Sequence, residues 1–383
     1  MGKVRLANAE KDSVDLLVIA AECSGDELGA ELIRDYRRLR PSALVYGIGG
    51  PNMAREASRF LYNLVDHATM GIWEVLGQLP FFLRFQRKII RWIAAVRPRR
   101  VCLIDSPALN LRIAKELFHR ALSRKGGGTV SLYYYVAPQV WAWKAERRFA
   151  LARYVDSLAV LFPFERSAFA DTGLPVVYVG HPFLRSDSHP IHYAEDGALL
   201  LLPGSRQASI RRIFPIMLAC AAAPALGQLP AVVCIYPTED IRKLLVDQII
   251  AMGESLTARV RLVSIEDAKK NSVGARLVLV SAGSMSLRCA LAAIPGAIVY
   301  RTHPLTYWIG RQFLHIPRIG IGSILLGYEC YPEFLQNDAQ PSPIVAKLVQ
   351  SLRGGDDFAV LAEELRASMA CHGPLPAEWL AGL

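Results

Sequence analysis

A chain of 383 residues is long enough for two domains, and 52% hydrophobic with 20% charged residues makes it globular and excludes an intrinsically disordered protein. The 44 Lys and Arg against 34 Asp and Glu leave a formal charge of +10, which favours polyanions, an anionic membrane face or phosphorylated substrates without choosing among them. Seven cysteines without a Cys-x-x-Cys pair point to reduced, buried thiols in a cytoplasmic protein, and the charged stretch 1–15 lacks the apolar core of a secretory signal.

Strand-like runs are predicted at 16–20, 44–48, 101–105, 131–136, 157–161 and 176–179, alternating with helices at 26–39, 81–96, 111–123 and 145–153. Apolar strands separated by helices are the pattern of a parallel, doubly wound α/β sheet. Helix 81–96 is amphipathic, with apolar positions 82, 85, 89, 92, 93 and 96 opposite Arg84, Arg87, Lys88 and Arg91. Its basic face is either solvated or, together with Trp73, Phe81 and Phe82, a patch that rests on an anionic membrane surface. The polar, breaker-rich Ser186-Asp187-Ser188-His189-Pro190 reads as a linker. A second series of the same class follows, with strands at 199–202, 231–236, 260–264, 277–281 and 297–300 and helices at 207–222, 239–252 and 285–293. The uncharged run 213–238 is long enough to span a bilayer, but Pro215, Pro224, Gly227, Pro230 and Pro237 cut it into a helix, a turn and a strand. The domains expected are therefore 1–187 and 188–344, with C-terminal helices over 345–383 that pack back on the first.

One device occurs in both halves: an apolar strand enters a small-residue turn that opens a helix. It is Leu16-Leu17-Val18-Ile19-Ala20 before Glu22-Cys23-Ser24-Gly25-Asp26, and Leu199-Leu200-Leu201-Leu202 before Pro203-Gly204-Ser205-Arg206. Such a turn aims free backbone N–H groups and the positive end of a helix dipole at whatever lies above the strand end, and so favours anionic ligands. Its duplication predicts two nucleotide-binding domains facing each other across a cleft. Walker A, Gly-x-Ser-x-Gly, His-Glu-x-x-His and Gly-x-Gly-x-x-Gly patterns are absent, as are Asp-x-Asp and any His, Cys and Asp grouping at metal-ligand spacing. No metal and no cofactor are expected, so the charge of a bound diphosphate would fall to helix N-termini and cationic side chains.

Further clusters stand in order along the chain: Met70-Gly71-Ile72-Trp73-Glu74-Val75-Leu76-Gly77, Ile104-Asp105-Ser106-Pro107-Ala108-Leu109-Asn110, Val136-Ala137-Pro138-Gln139-Val140-Trp141-Ala142-Trp143, Leu161-Phe162-Pro163-Phe164-Glu165, Val179-Gly180-His181-Pro182 and Pro332-Glu333-Phe334-Leu335-Gln336. With the two turns above, they resemble the lipid-A-disaccharide synthases over residues 16–336. The resemblance implies the GT-B architecture, two Rossmann-like domains with the acceptor on the first and the nucleotide-sugar donor on the second. It implies an inverting transfer of 2,3-diacylglucosamine from its UDP conjugate to 2,3-diacylglucosamine 1-phosphate, giving the β-1,6 disaccharide 1-phosphate of lipid A and UDP. It further implies a peripheral protein on the cytoplasmic face of the inner membrane, a homodimer, with no nucleic acid among its partners.

Asp105, at a strand end and matching the family's functional Asp, is the expected general base or orienter of the acceptor 6-hydroxyl, and Glu22 is a second candidate base. Ser24 and Gly25 line the first turn near the scissile bond. Arg206, with the backbone of Gly204 and Ser205, is expected on the diphosphate, and Gly283-Ser284 forms a second phosphate-facing turn. Glu329 and Glu333 are candidates to accept hydrogen bonds from the nucleotide. Trp141 and Trp143 are either core aromatics or the lining of an acyl groove, and His181 is either a hinge residue or a donor to phosphate or sugar. The chain departs from the family in carrying Arg288 where a Glu is usual, Gly322-Ser323 where a Pro-Asn pair is usual, and Ala108 where a second acid is usual. Another UDP-sugar enzyme of the same double fold, or a non-catalytic binding relative, are the alternative readings.

Overall fold

A computed structural model describes residues 13–65, 72–185, 189–303, 318–354 and 357–382, over 72–80 and 254–255 by backbone alone. The chain divides into two compact units, residues 1–182 with 371–383, and residues 183–370.

The first unit is built on β1 (Leu16–Ala20), β2 (Val45–Gly49), β3 (Arg59–Asn63), β4 (Arg100–Ile104), β5 (Ser131–Tyr135), β6 (Ser157–Val160) and β7 (Val176–Tyr178). They form one parallel sheet in the order β3-β2-β1-β4-β5-β6-β7. Every residue of β1 is buried, because a parallel sheet wound on both sides hides both faces of its central strands. The period of two then sorts them: Leu17 and Ile19 join Phe85, Ile89 and Ile93 in one core, while Leu16, Val18 and Ala20 join Ile33, Tyr36 and Trp379 in the other. Helices α1 (Cys23–Leu39), α2 (Pro51–Glu56), α3 (Ile72–Val96), α4 (Pro107–His119) and α5 (Arg147–Tyr154) connect the strands. In α3, Phe85, Ile89, Ile90, Trp92 and Ile93 are buried, Phe81 and Phe82 lean on the same core, and Arg84, Arg87 and Arg91 are exposed. The expected membrane patch also included Trp73, whose side chain lies outside the described residues.

The second unit carries β8 (Ile191–Leu202), β9 (Val232–Tyr236), β10 (Val260–Ser264), β11 (Val273–Val280), β12 (Gly296–Tyr300) and β13 (Glu333–Leu335). This parallel sheet runs β10-β9-β8-β11-β12-β13. Around it lie α6 (Gln207–Ala221), α7 (Glu239–Ala251), α8 (Glu254–Arg259), α9 (Ile265–Lys270), α10 (Ser284–Leu291), α11 (Ile321–Leu326), α12 (Pro341–Leu352) and α13 (Phe358–Ser368). The long uncharged run becomes α6, a 3-10 turn at Pro224–Leu226 and β9. Among the described residues no helix is long and apolar enough to cross a membrane.

Two edge strands, β3 and β13, go beyond the sequence expectation: both are short and half-buried, without the apolar run that marks the central strands. The unit boundary also differs. The second unit begins at Phe183, ahead of the expected linker, of which Ser186, Asp187 and Ser188 lie outside the described residues. Of the tail expected on the first unit, only 371–383 belongs there. Helix α12 buries Ile344 and Leu348 in the second core and α13 sets Phe358 against Tyr331, whereas α14 (Pro376–Ala381) buries Trp379 and Leu380 on the first sheet. Cys102, Cys220, Cys234, Cys289 and Cys330 are buried free thiols.

Candidate active site

The first constellation is made where β4 and β5 end side by side. Ile104 pairs with Tyr135, so Asp105 leaves the sheet next to Val136, with its N–H on the Tyr135 carbonyl at 2.9 Å. Asp105 and Ser106 both occupy the left-handed region, at φ 47° and 44°, a conformation that costs a side-chain-bearing residue about 1–3 kcal/mol. Two groups hold it. Asn110, fully buried in α4, donates Nδ2 to the carbonyls of Ile104 at 2.9 Å and Asp105 at 2.7 Å, and Tyr134 donates its hydroxyl to the Asp105 carbonyl at 2.6 Å. Ser106, not Asp105, is the N-cap of α4, so the Asp105 carboxylate is left to the strand end. Burial, then the nearby charge of Glu22, push its pKa up to about 6, against a weaker pull from the Ser106 N–H.

Glu22 is the exposed N-cap residue of α1, with no side-chain cap bond of its own, and it accepts from the Ser106 hydroxyl at 3.5 Å. Ser24 is exposed on the first turn of that helix. Gly25 is buried, and a Cβ there would lie 3.2 Å from that of Ala20 and 3.6 Å from Ile104, so its lack of a side chain lets α1 settle on β1 and β4. Its neighbour Asp26 turns away from the rim: its buried carboxylate takes the N–H groups of Gly50 at 2.7 Å, Asn52 at 3.0 Å and Met53 at 3.0 Å, anchoring the start of α2.

The loop after β5 separates the two tryptophans. Trp141 packs edge-on against Phe164 at 5.2 Å, Phe164 stacks on Phe162 at 5.6 Å, and buried His181 lies against Phe162 at 5.0 Å. Beneath them the Glu165 carboxylate takes the N–H groups of Leu161 at 3.1 Å and Phe162 at 3.0 Å. Burial still pushes it up to about 7, the two N–H groups and the Trp141 indole opposing. Trp143 is exposed instead, with Lys144 and Arg147 over its ring.

In the second unit, β8 ends in Pro203-Gly204-Ser205-Arg206 and α6 begins. Gly204 has φ +95°, and a Cβ there would stand 2.9 Å from the Ser281 hydroxyl, so both backbone and space require glycine. Arg206 is the exposed N-cap of α6 and makes no side-chain bond with another described residue. Gly283 and Ser284 are exposed at the N-terminus of α10, next to the end of β11, which is paired with β8. Two helix starts and a guanidinium thus stand on neighbouring strands, an arrangement suited to a diphosphate.

The expected nucleotide acceptors differ. Glu333 gives its two oxygens to the N–H groups of Ile319 and Gly320, each at 2.9 Å, at the head of α11, while Glu329 is exposed. Gly322-Ser323 is packed rather than polar: a Cβ on Gly322 would lie 2.8 Å from the Cys330 sulfur, and the Ser323 hydroxyl accepts from the Cys330 N–H at 3.1 Å. Arg288 lies over the Phe183 ring at 4.0 Å. Among the described residues no group of three or more His, Cys, Asp or Glu could hold a metal ion. Sequence reasoning included Asn110 in the cluster after β4 without giving it a role, and missed Tyr134. An Asn in the first turn after Asp-Ser-Pro was the only local signal for the first, and three consecutive tyrosines hid the second.

Solved structures of similar fold include a putative UDP-N-acetylglucosamine 2-epimerase from Listeria monocytogenes, with TM-score 0.62 and 11% identity over 97% of this chain and 95% of that one. The spinosyn forosaminyltransferase SpnP matches with TM-score 0.57 and 10% identity over 97% and 98%. At these identities the likeness shows the fold, two Rossmann-like units of the GT-B class. Sequence relatives are closer. The lipid-A-disaccharide synthase of Neisseria meningitidis serogroup A is 34% identical, with 94% of each chain covered. That of Geobacter sulfurreducens is 32% identical over 94% of this chain and 92% of the other, and that of Blochmanniella pennsylvanica 30% over 91% and 90%. Residues 16–369 match the family described as lipid-A-disaccharide synthetase, and the chain belongs to it.

Proposed function

We infer that the protein is a lipid-A-disaccharide synthase that transfers diacylglucosamine from UDP to the 6-hydroxyl of diacylglucosamine 1-phosphate. Asp105 takes the proton of that hydroxyl as its oxygen attacks the donor's anomeric carbon; the carbon–oxygen bond to UDP breaks, UDP leaves with the electron pair, and the configuration inverts to β. The observation that carries this reading is the Asp105–Ser106 pair, held left-handed by Asn110 and Tyr134 with a carboxylate poised near neutrality. Glu22 raises that carboxylate and orients Ser106, and Ser24 faces the same rim. In the second unit Arg206, the Gly204–Ser205 turn and the Gly283–Ser284 helix start meet the diphosphate charge as UDP departs.

This reading puts the enzyme peripherally on the cytoplasmic face of the inner membrane, supported by acylated substrates that partition into a bilayer and by the exposed, basic Arg84, Arg87 and Arg91 of α3. A homodimer completes this reading. Incubation of purified protein with UDP-2,3-diacylglucosamine and 2,3-diacylglucosamine 1-phosphate, read by mass spectrometry, should yield the disaccharide 1-phosphate. Turnover of a UDP-sugar without an acylated acceptor would reject it.

A further inference from the structure

The loop leaving β5 displays a cationic, aromatic shelf that the reaction just described does not employ. Trp143 keeps 43% of its surface exposed, with the Lys144 ammonium 4.7 Å and the Arg147 guanidinium 5.0 Å from its ring centroid. Neither cation forms an ion pair or side-chain hydrogen bond with another described residue. Arg148, next along the chain, is by contrast engaged by Asp171, through Nε at 2.9 and 3.1 Å and Nη2 at 2.8 Å. Lys144 sits at φ 50°, so the loop stores strain at the residue that presents the charge. The loop that carries the shelf starts at Val136, where β5 ends beside Asp105, whose N–H donates to the Tyr135 carbonyl. Burial and Asp105 push the Tyr134 hydroxyl well up, Arg147 pulls it down, and that same hydroxyl donates to the Asp105 carbonyl.

We propose that Arg147 and Lys144, presented on the face of Trp143, bind the anomeric phosphate of the acceptor sugar. This rests on reading Asp105 as the base at the acceptor 6-hydroxyl. In a hexopyranose the anomeric carbon and the C5–C6 arm flank one ring oxygen, so a phosphate on the first lies a single ring edge from the hydroxyl on the second. Asp105 and Glu22 repel that phosphate from their own side, and the shelf offers cations with no carboxylate bound to them; Glu146 beside them is exposed and acts on Arg148. A guanidinium fork matches phosphate oxygens, a lysine adds a point charge, and the indole holds both by cation–π attraction.

The test compares two acceptors in detergent micelles, 2,3-diacylglucosamine 1-phosphate and its analogue with a free 1-hydroxyl, using the full chain. Wild type should prefer the phosphate by about tenfold or more in kcat/KM, the weight of a charge-assisted contact. Arg147→Ala should bring that preference towards unity by raising the KM for the phosphorylated acceptor with the donor KM unchanged, Arg147→Lys should restore part of it, and Lys144→Ala, on an exposed loop, should act in the same direction. Folded Arg147→Ala or Lys144→Ala protein that keeps the wild-type preference, or loses donor and acceptor affinity alike, overturns the assignment. So does a variant changed only in its sedimentation with phosphatidylglycerol vesicles, which would make the shelf a membrane contact. Failure of wild type to make any disaccharide rejects the parent reading and this one together; disaccharide made without acceptor preference rejects this one alone.

Discussion

Asp105 sits in a backbone conformation it would not choose and at a protonation balance it would not have in water, and the two have one origin. The strand end must turn sharply into Pro107, and the turn leaves the carboxylate burial-shielded beside Glu22. Its pKa rises from 3.8 to about 6, so the native state holds this proton more tightly than the unfolded chain. The stabilisation that protonation brings is complete below pH 3.8 and is lost as pH rises through about 6. Asp105→Asn, which mimics the protonated group, is therefore expected to raise the unfolding free energy at alkaline pH by ~1–3 kcal/mol while cutting turnover by ~100-fold or more. A circular dichroism melt and a steady-state assay check both halves, and loss of both stability and turnover would point to structure rather than chemistry. The pH profile follows from the same shift: kcat/KM should climb with a midpoint near 6, and Glu22→Gln, removing the second cause of the shift, should move that midpoint down.

Between elements, two carboxylates one strand apart do opposite work. Asp26 binds three backbone N–H groups that tie α1 to α2, and Asp26→Ala is expected to destabilise the first unit by ~2–4 kcal/mol in a thermal melt, with UDP affinity unchanged. Asp26 stands in the first strand-to-helix turn of the sequence, but its partners, some 24 to 27 residues onward, were not legible there. Glycines divide in the same way: Gly25 serves helix packing, Gly204 serves the turn. Gly204→Ala meets both the left-handed backbone and the Ser281 hydroxyl, so it should cost ~1–3 kcal/mol and weaken UDP binding measured by calorimetry. The Trp-Ala-Trp stretch likewise resolves into one aromatic against Phe164 and one in solvent, because the loop leaves β5 by a left-handed Val136 and turns again at Lys144.

At the scale of the molecule, the chain returns at its C-terminus to the unit it began with. Trp379 donates its indole N–H to the Ser157 hydroxyl at 2.8 Å, packs edge-on against Tyr133, and brings Ala381 within reach of Arg40. Trp379→Ala is expected to lower the stability of the first unit by ~3–5 kcal/mol, seen as an earlier melting step with the second unit's step unmoved. The sequence by itself determined that there are two doubly wound parallel sheets, and that each has a strand running into a small-residue turn at a helix start, because apolar runs, breakers and turn glycines act over a few residues. Tertiary structure alone decided which acid is buried on backbone N–H groups as an anchor and which keeps a carboxylate with a raised pKa, which tryptophan is exposed, and which unit owns each C-terminal helix. Those properties are fixed by burial and by the charges of neighbours contributed from distant parts of the chain, and no local pattern encodes them.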